Sequence, residues 1–407
     1  MKSYLVGGAV RDRLLNLPVK DRDWVVVGSN PEALRAKGYK PIGKDFPVFL
    51  HPDSAEEYAL ARTERKTAKG YQGFVFHTDE TVTLKADLQR RDLTINALAL
   101  DDQEQIIDYY NGQKDLDARL LRHVSPAFRE DPVRILRTAR FLARFQHLGF
   151  RIADETLILM QEMVKEGEVD ALVAERVWQE TERALSEPNP EAFFETLRAC
   201  GALAILFPEL DALFGVPQVK QHHPEIDTGV HTLMVLQQAV KLSPLTEVRF
   251  AALVHDLGKG TTKADVLPHH YGHEQRGKRL VTQLCQRYRI PKRFRILAEQ
   301  VAYYHTHVHK AFDIKNKTLL KVLENIGAFR QESKLEQFLL ACKADSLGRL
   351  DHEQNDYPQL EYYLGMFAVC QKINVQTIIA EGHQGVMIAE QLRRQRLCNM
   401  RIYQKQL

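Results

Sequence analysis

Short apolar runs rich in β-branched and aromatic residues recur over about the first 115 positions, at 4–6, 24–27, 48–50, 58–61 and 106–109. Helical segments separate them, which predicts a mixed α and β head. From about residue 125 the apolar spacing lengthens to the helical period and strand signals become sparse. Breaks fall at 186–190, around 215–224, at Pro268 and at Pro291. The pattern predicts an α+β chain: a head at 1–125, a helical neck and body at 126–222, a further helical domain at 223–350 and a helical tail at 351–407. No stretch of apolar residues is long enough for a membrane span, so no membrane partner is expected. The five cysteines carry no CxxC pair and the N-terminus does not resemble a signal peptide, which together predict a cytoplasmic protein. The expected state is monomer or homodimer. A net charge of +3 says little, because a nucleic-acid partner would show as local basic clusters.

Asp21-Arg22-Asp23 stands at the mouth of one apolar run. Alternate strand residues project to one side, so the two carboxylates share a face with Cα atoms about 6.5–7 Å apart. Like charges so placed repel, and shared divalent cations remove the repulsion. Mg²⁺ accepts carboxylate and phosphate oxygens together, and a pair of such ions activates a hydroxyl and stabilises a leaving pyrophosphate. Upstream, Gly7-Gly8 lets the backbone approach a phosphate, and Arg11 on the next turn is placed to reach a triphosphate. A solvated turn is the plainer reading of Asp-Arg-Asp alone; the glycines and Arg11 favour metal and nucleotide. Glu57, just before the run at 58–61, is a third metal carboxylate or an ordinary edge-strand charge.

Arg91 and Asp92 form either a surface ion pair or, through Arg91, a bidentate triphosphate contact. In EDPVRILRTARFLARF, starting at Glu130, Pro132 suits a first helical turn. Arg134, Arg137, Arg140 and Arg144 fall on one face, with Leu136, Ala139, Leu142 and Ala143 opposite. A solvated stripe ordinarily mixes charge signs, and this one is basic. The spacing brings Asp131 within reach of Arg134, so a carboxylate and a guanidinium offer one hydrogen-bonding edge to a base. Arg393, Arg394, Arg396, Arg401 and Lys405 make the tail a second basic candidate or a solvated end.

Ten of the sixteen histidines fall between His222 and His309. An apolar helix ends in adjacent His255 and Asp256, with Gly258 as its stop. Adjacent helical residues diverge, so this pair binds one metal only with ligands from other helices. His231 and Asp345 lie on suitable ones, and His305 is a further candidate ligand or acid–base group. Imidazole plus carboxylate with open positions suits a catalytic divalent site, whereas any one of these histidines alone reads as an ordinary core or surface residue.

GGAVRDRLL from Gly7, followed by Asp21-Arg22-Asp23, resembles the nucleotidyltransferase signature of the DNA polymerase β superfamily, in its bacterial CCA-adding tRNA nucleotidyltransferase and poly(A) polymerase branch. RRDLTINA from Arg90, DYYNG from Asp108 with Lys114-Asp115-Leu116, and EDPVR from Glu130 resemble further motifs of that branch in order. The resemblance implies catalysis by Asp21 and Asp23 with Mg²⁺. It implies ATP and CTP binding through Gly8, Arg11, Arg91, Asp131, Arg134, Arg137 and Arg140, with C and A selected by Asp131 and Arg134 without a template. It makes Asp92 and Asn96 sugar-binding or structural candidates. His231, His255, Asp256 and Asp345 resemble the ligand set of HD phosphohydrolases, which implies a divalent metal, Ni²⁺ or Mg²⁺. Head, helical body and HD segment together look like the long proteobacterial form of CCA-adding enzymes. That form implies ordered addition of C, C and A to tRNA, and 2′,3′-cyclic phosphodiesterase, 2′-nucleotidase and phosphatase activities. A poly(A) polymerase shares the head but usually carries a longer basic tail and no HD segment. A regulatory nucleotide hydrolase leaves the head unexplained, and a non-catalytic RNA-binding descendant has no use for an intact aspartate pair.

Overall fold

The computed structural model describes residues 1–42, 48–66, 74–77, 80–221 and 223–406. His222, at the start of the histidine-rich stretch, lies outside the described residues. The chain divides into two units, Met1–Leu206 and Phe207–Leu407. Among the described residues, no helix is long and apolar enough to cross a membrane.

The first unit is built on strands β1 (Lys2–Val6), β2 (Asp23–Val27), β3 (Lys40–Ile42), β4 (Val48–Leu50), β5 (Glu57–Leu60), β6 (Thr63–Lys66), β7 (Phe74–His77), β8 (Leu98–Leu100) and β9 (Ile106–Asp108). A mixed sheet runs in the order β3-β4-β5-β2-β1-β8-β9, and β6 pairs with β7 separately. Its central strand β2 is antiparallel to β1 and parallel to β5. Both faces are covered, which is why the runs are continuously apolar rather than alternating. Val25 packs with Val6, Leu88 and Ala99 on one side, while Val26 packs with Leu34, Phe49 and Leu60 on the other.

The helix α1 (Gly8–Leu14) follows β1 directly. After the sheet come α2 (Val133–Phe145), α3 (Ala174–Ser186) and α4 (Glu191–Ala199). Pro132 and Pro190 stand immediately before α2 and α4, where a missing N–H costs nothing. Helix α2 packs on α3 and α4, and Phe145 and Leu136 are fully buried there.

The second unit is helical: α5 (Thr228–Leu242), α6 (Thr246–Val254), α7 (His273–Arg287), α8 (Lys292–His309), α9 (Ser333–Leu347), α10 (Pro358–Gln371) and α11 (Val386–Gln404) form its main elements. Helix α9 lies against α5, α6 and α8. Small residues let them come close: Ala239, Ala252 and Ala344 share a buried cluster with Val235. That close approach carries polar side chains from four helices into one interior.

Candidate functional site

In the first unit, the start of β2 lies beside the end of β1, where Val6 pairs with Asp23 and the chain turns into α1. Asp23 opens β2, and Asp21 precedes the strand rather than lying in it. Asp23 pairs in register with Glu57 across the parallel β2–β5 ladder, so the two side chains project to the same side. Partial desolvation pushes the Asp23 carboxyl above its ordinary value; Arg91 pulls it down and Asp21 pushes it up again. Asp21 thus lies close enough to Asp23 for its charge to oppose ionisation there.

Gly7 adopts φ +69°, and a Cβ there would stand 2.8 Å from Nη1 of Arg91. The glycine thus makes room for a guanidinium beside the turn that leads into α1. Arg91 is loosely tied, with its Nη atoms 3.4 Å from the Asn96 carbonyl and from Asp87. Its buried Nε has no hydrogen-bond partner among the described residues.

Arg11 differs from its sequence expectation. It is only 3% exposed, donates to Asp12 at 2.8 Å and to Asn96 at 2.5 Å, and lies over the rings of Phe141 and Phe145. On a helix covered by α2, the residue facing inward is held under the site instead of reaching out of it. Asn96 continues the chain of bonds to Asp92 at 3.0 Å, and Arg137 binds Asp92 through Nε at 2.7 Å. Burial opposes the Asp92 charge, but Arg137 and Asn96 hold its carboxyl far below the usual range.

The basic face of α2 is also not a solvated one. Arg134 and Arg140 are 6% and 8% exposed. Arg140 binds Glu180 of α3 at 2.6 Å, and Arg144 binds Asp12 of α1 at 2.8 Å. Arg134 donates to the carbonyls of Ala127 and Arg90. The Asp131 carboxylate meets Arg176 of α3 in a two-pronged pair at 3.1 and 2.8 Å, and not Arg134. Helical spacing fails here because Asp131 is extended, with φ −122° and ψ 107°, and α2 begins only at Val133. Arg176 was missed in the sequence because nothing local announces a partner 45 residues away. In the tail, Arg393 meets Glu324 and Arg396 covers the Phe329 ring, so the basic run there is partly engaged within the unit.

In the second unit, His231 from α5, His255 at the end of α6 and Asp345 from α9 converge. His231 Nε2 is 3.1 Å and His255 Nε2 3.5 Å from Asp345 Oδ1. His255 Nδ1 is fixed on the Ala252 carbonyl at 2.6 Å, which turns Nε2 inward. The other nitrogen of His231 faces Glu225 at 3.0 Å. Asp256 stands between two groups: Oδ2 lies 3.1 Å from His255, and Oδ1 lies 3.5 Å from both His273 and His305. Lys259 binds the same Oδ2 at 2.6 Å. His255 Nε2 and Asp256 Oδ1 are buried without a hydrogen-bond partner among the described residues. Such orphans are costly unless a ligand completes them, so the donor set fits divalent metal. Burial disfavours the His255 cation, but Asp256 and Asp345 push it up to about 10. Bound metal would take over the role of that proton.

The sequence located His231, His255, Asp256 and Asp345, and His305 as an extra. It missed His273, Lys259 and His309, whose Nε2 is 2.7 Å from Asp345 Oδ2. The four-residue spacing of His305 and His309 on α8 was the available signal. Gly258 is not a left-handed helix stop; a Cβ there would run into the His273 carbonyl and the Gly277 nitrogen, so its role is to let α7 approach.

Fold and side chains together define a nucleotidyltransferase head of the DNA polymerase β kind, joined to a helical body and an HD domain. The family model "Poly A polymerase head domain" matches residues 3–122, a polymerase A model for the following segment matches 149–214, and "HD domain" matches 228–349. A multifunctional CCA protein of Thioalkalivibrio sulfidiphilus is 60% identical over 397 residues, covering 98% of this chain and 97% of that one. One from Teredinibacter turnerae is 58% identical over 402 residues, covering 99% and 98%. The chain belongs to the family of multifunctional CCA proteins. Its fold is also that of a solved CCA-adding enzyme in apo form (TM-score 0.67, 22% identity, 97% of this chain and 88% of that one). A Thermotoga maritima CCA-adding enzyme complexed with tRNA gives 0.65 at 23% identity, over 98% and 87%.

Proposed function

We propose that this chain adds C, C and A to the 3′ end of tRNA from CTP and ATP without a nucleic-acid template, and that its HD domain hydrolyses phosphoesters. The observation that carries the first half is the carboxylate edge formed by Asp21, Asp23 and Glu57 with Arg91 beside Gly7, in a chain 60% identical to a multifunctional CCA protein. Relatives of the same fold are described in complex with CTP, with ATP and with tRNA. The head at 1–125 performs the chemistry, 126–222 selects the nucleotide and contacts tRNA, 223–350 is the hydrolase and 351–407 its helical tail. The site of action is the cytoplasm.

Asp21 and Asp23, with Glu57 as a further ligand, would hold two Mg²⁺ ions, which would supply activation of the tRNA 3′ hydroxyl and charge compensation for the leaving pyrophosphate. Arg91 holds the triphosphate while the 3′ oxygen attacks the α-phosphorus, the Pα–O bond to the β-phosphate breaks and pyrophosphate departs. Arg137, supported from beneath by Arg11 through Asn96 and Asp92, and Arg140, held by Glu180, contact the nucleotide, and Asp131, oriented by Arg176, reads the base edge.

In the HD domain, His231, His255, Asp256 and Asp345 hold a divalent ion, Ni²⁺ or Mg²⁺, and Asp256 with His273 and His305 has the donors for a second. Metal there supplies a hydroxide and a Lewis acid for phosphorus. His309 lines the cavity with both ring nitrogens engaged, Nε2 by Asp345 and Nδ1 by the Tyr357 hydroxyl, and so steadies Asp345. The activities are those of a 2′,3′-cyclic phosphodiesterase, a 2′-nucleotidase and a phosphatase. The test is incubation of tRNA ending at its discriminator base with CTP, ATP and Mg²⁺, followed by product sequencing, alongside 2′,3′-cyclic AMP hydrolysis with Ni²⁺ or Mg²⁺. Products without CCA, or an inert HD domain, overturn the respective half.

A further inference from the structure

Beside the histidine and aspartate groups of the second unit lies a cavity of about 600 Å³, a volume suited to a nucleotide. His273, His305 and Asp345 line one side of it, and Lys259, Lys310 and Arg349 add positive charge. Residues 268–272, in the connection between α6 and α7, line it as well. In that segment Tyr271 is 75% exposed, an unusual exposure for so large a ring. It stacks on His269, with centroids 5.6 Å apart and planes 16° apart.

The segment is pinned while the ring is not. His270 is anchored at both nitrogens, to Thr262 at 2.8 Å and to the Pro217 carbonyl at 3.1 Å. Arg276 grips the Tyr271 carbonyl at 2.7 Å and both Thr261 and Thr262 through its other nitrogens. The Tyr271 ring is stacked on His269, and no hydrogen bond to its hydroxyl is present among the described residues. A firm backbone thus presents an aromatic pair with one broad face covered by its neighbour and the rest open at the cavity. Phosphate alone gains nothing from such a surface, whereas a nucleobase stacks on it whatever its identity.

We propose that Tyr271, backed by His269, is the platform on which the base of the substrate lies, so that the hydrolytic site takes phosphoesters of nucleosides in preference to base-free phosphoesters. This rests on the reading of the HD domain as a phosphohydrolase. The phosphate is then set toward the metal-ligand groups and the cationic side chains, and the base lies at the rim.

The experiment compares the full-length protein with its Tyr271→Ala and Tyr271→Phe variants, with Ni²⁺ or Mg²⁺, on 2′-AMP and on β-glycerophosphate, a monoester without a base. Tyr271→Ala is expected to raise KM for 2′-AMP by about tenfold, the scale of one lost base stack, with kcat within about twofold. Hydrolysis of β-glycerophosphate stays within about twofold, and Tyr271→Phe behaves as the parent. Equal loss on both substrates, or no loss on 2′-AMP, overturns the proposal. Calorimetric binding of 2′-AMP to the same three proteins gives a readout independent of turnover. If the parent protein hydrolyses neither substrate, the hydrolase reading falls, while binding about tenfold weaker in Tyr271→Ala still supports the platform and equal binding overturns it.

Discussion

Asp23 and Glu57 stand opposite each other, in register, on the parallel neighbours β2 and β5. Parallel partners lie about 4.8 Å apart with side chains on the same face, so a cation at Asp23 is within reach of Glu57. Glu57→Gln is expected to slow CCA addition by about tenfold or more and to shift its Mg²⁺ dependence to higher concentration. Asp21→Ala and Asp23→Ala are expected to slow it by about a thousandfold or more, because they remove the ions' primary anchors. Phosphoester hydrolysis is unaffected in all three. Nucleotide incorporation across a Mg²⁺ titration decides; an unchanged Mg²⁺ curve for Glu57→Gln leaves that residue an edge charge.

The grip of Arg176 on Asp131 gives the second expectation. Asp131→Ala relaxes selection of CTP and ATP against UTP and GTP, by about tenfold for each hydrogen bond lost at the base edge. Arg176→Ala acts in the same direction, because its fork sets where the carboxylate points. The double variant is little worse than either single one, since both changes remove the same arrangement. kcat/KM for all four nucleotides, on tRNA ending before the first C and before the A, provides the measurement. Uniform slowing of all four by Arg176→Ala would reduce that residue to a prop for α2.

His255→Ala and Asp256→Ala each remove donors buried with unsatisfied atoms. Bound metal per chain and hydrolysis of 2′,3′-cyclic AMP both fall, by about a hundredfold or more for turnover. CCA addition remains within about twofold, because the nucleotidyltransferase ligands are elsewhere in the chain. Metal analysis after dialysis, read with both assays, is the check; full metal content together with full hydrolysis would make the pair structural.

Asp92 supplies a pH signature. Its carboxyl is held below the usual range, so its ion pair with Arg137 stabilises the fold above the unfolded carboxylate pKa of about 3.9 and is lost as pH falls toward the folded value. Asp92→Asn is expected to cost about 1–2 kcal/mol at neutral pH, because the buried carboxylate's pair with Arg137 is lost while the guanidinium, 35% exposed, keeps part of its solvation, and the gap narrows only below about pH 4. Both tryptophans, Trp24 and Trp178, lie within Met1–Leu206, so denaturant unfolding followed by their fluorescence reports on this unit. A gap that stays constant down to pH 3 contradicts the assignment.

Local pattern carried much of this. The five apolar runs became strands because each places branched or aromatic residues into a sheet covered on both faces. Asp21 and Asp23, and His255 with Asp256, are neighbours in sequence as well as in space. What escaped is what the tertiary fold decides. Leu98–Leu100 continues a stretch that reads as helix, yet it is buried between β1 and β9. Lys40–Ile42 contains Pro41, which suits only an edge strand and weakens the local signal. Asp131 with Arg176, and Asp256 with His273 and His305, are partnerships between distant segments, and no spacing rule reaches that far.

The engaged arginines of α2 bear on how the protein meets RNA. Arg137, Arg140 and Arg144 are each matched by a carboxylate, and the Arg134 guanidinium is spent on main-chain carbonyls. A helix so compensated projects little long-range field and displaces few counterions when a polyanion arrives. The steepness with which tRNA affinity falls as salt is added is therefore expected to come from lysines and arginines elsewhere on the surface.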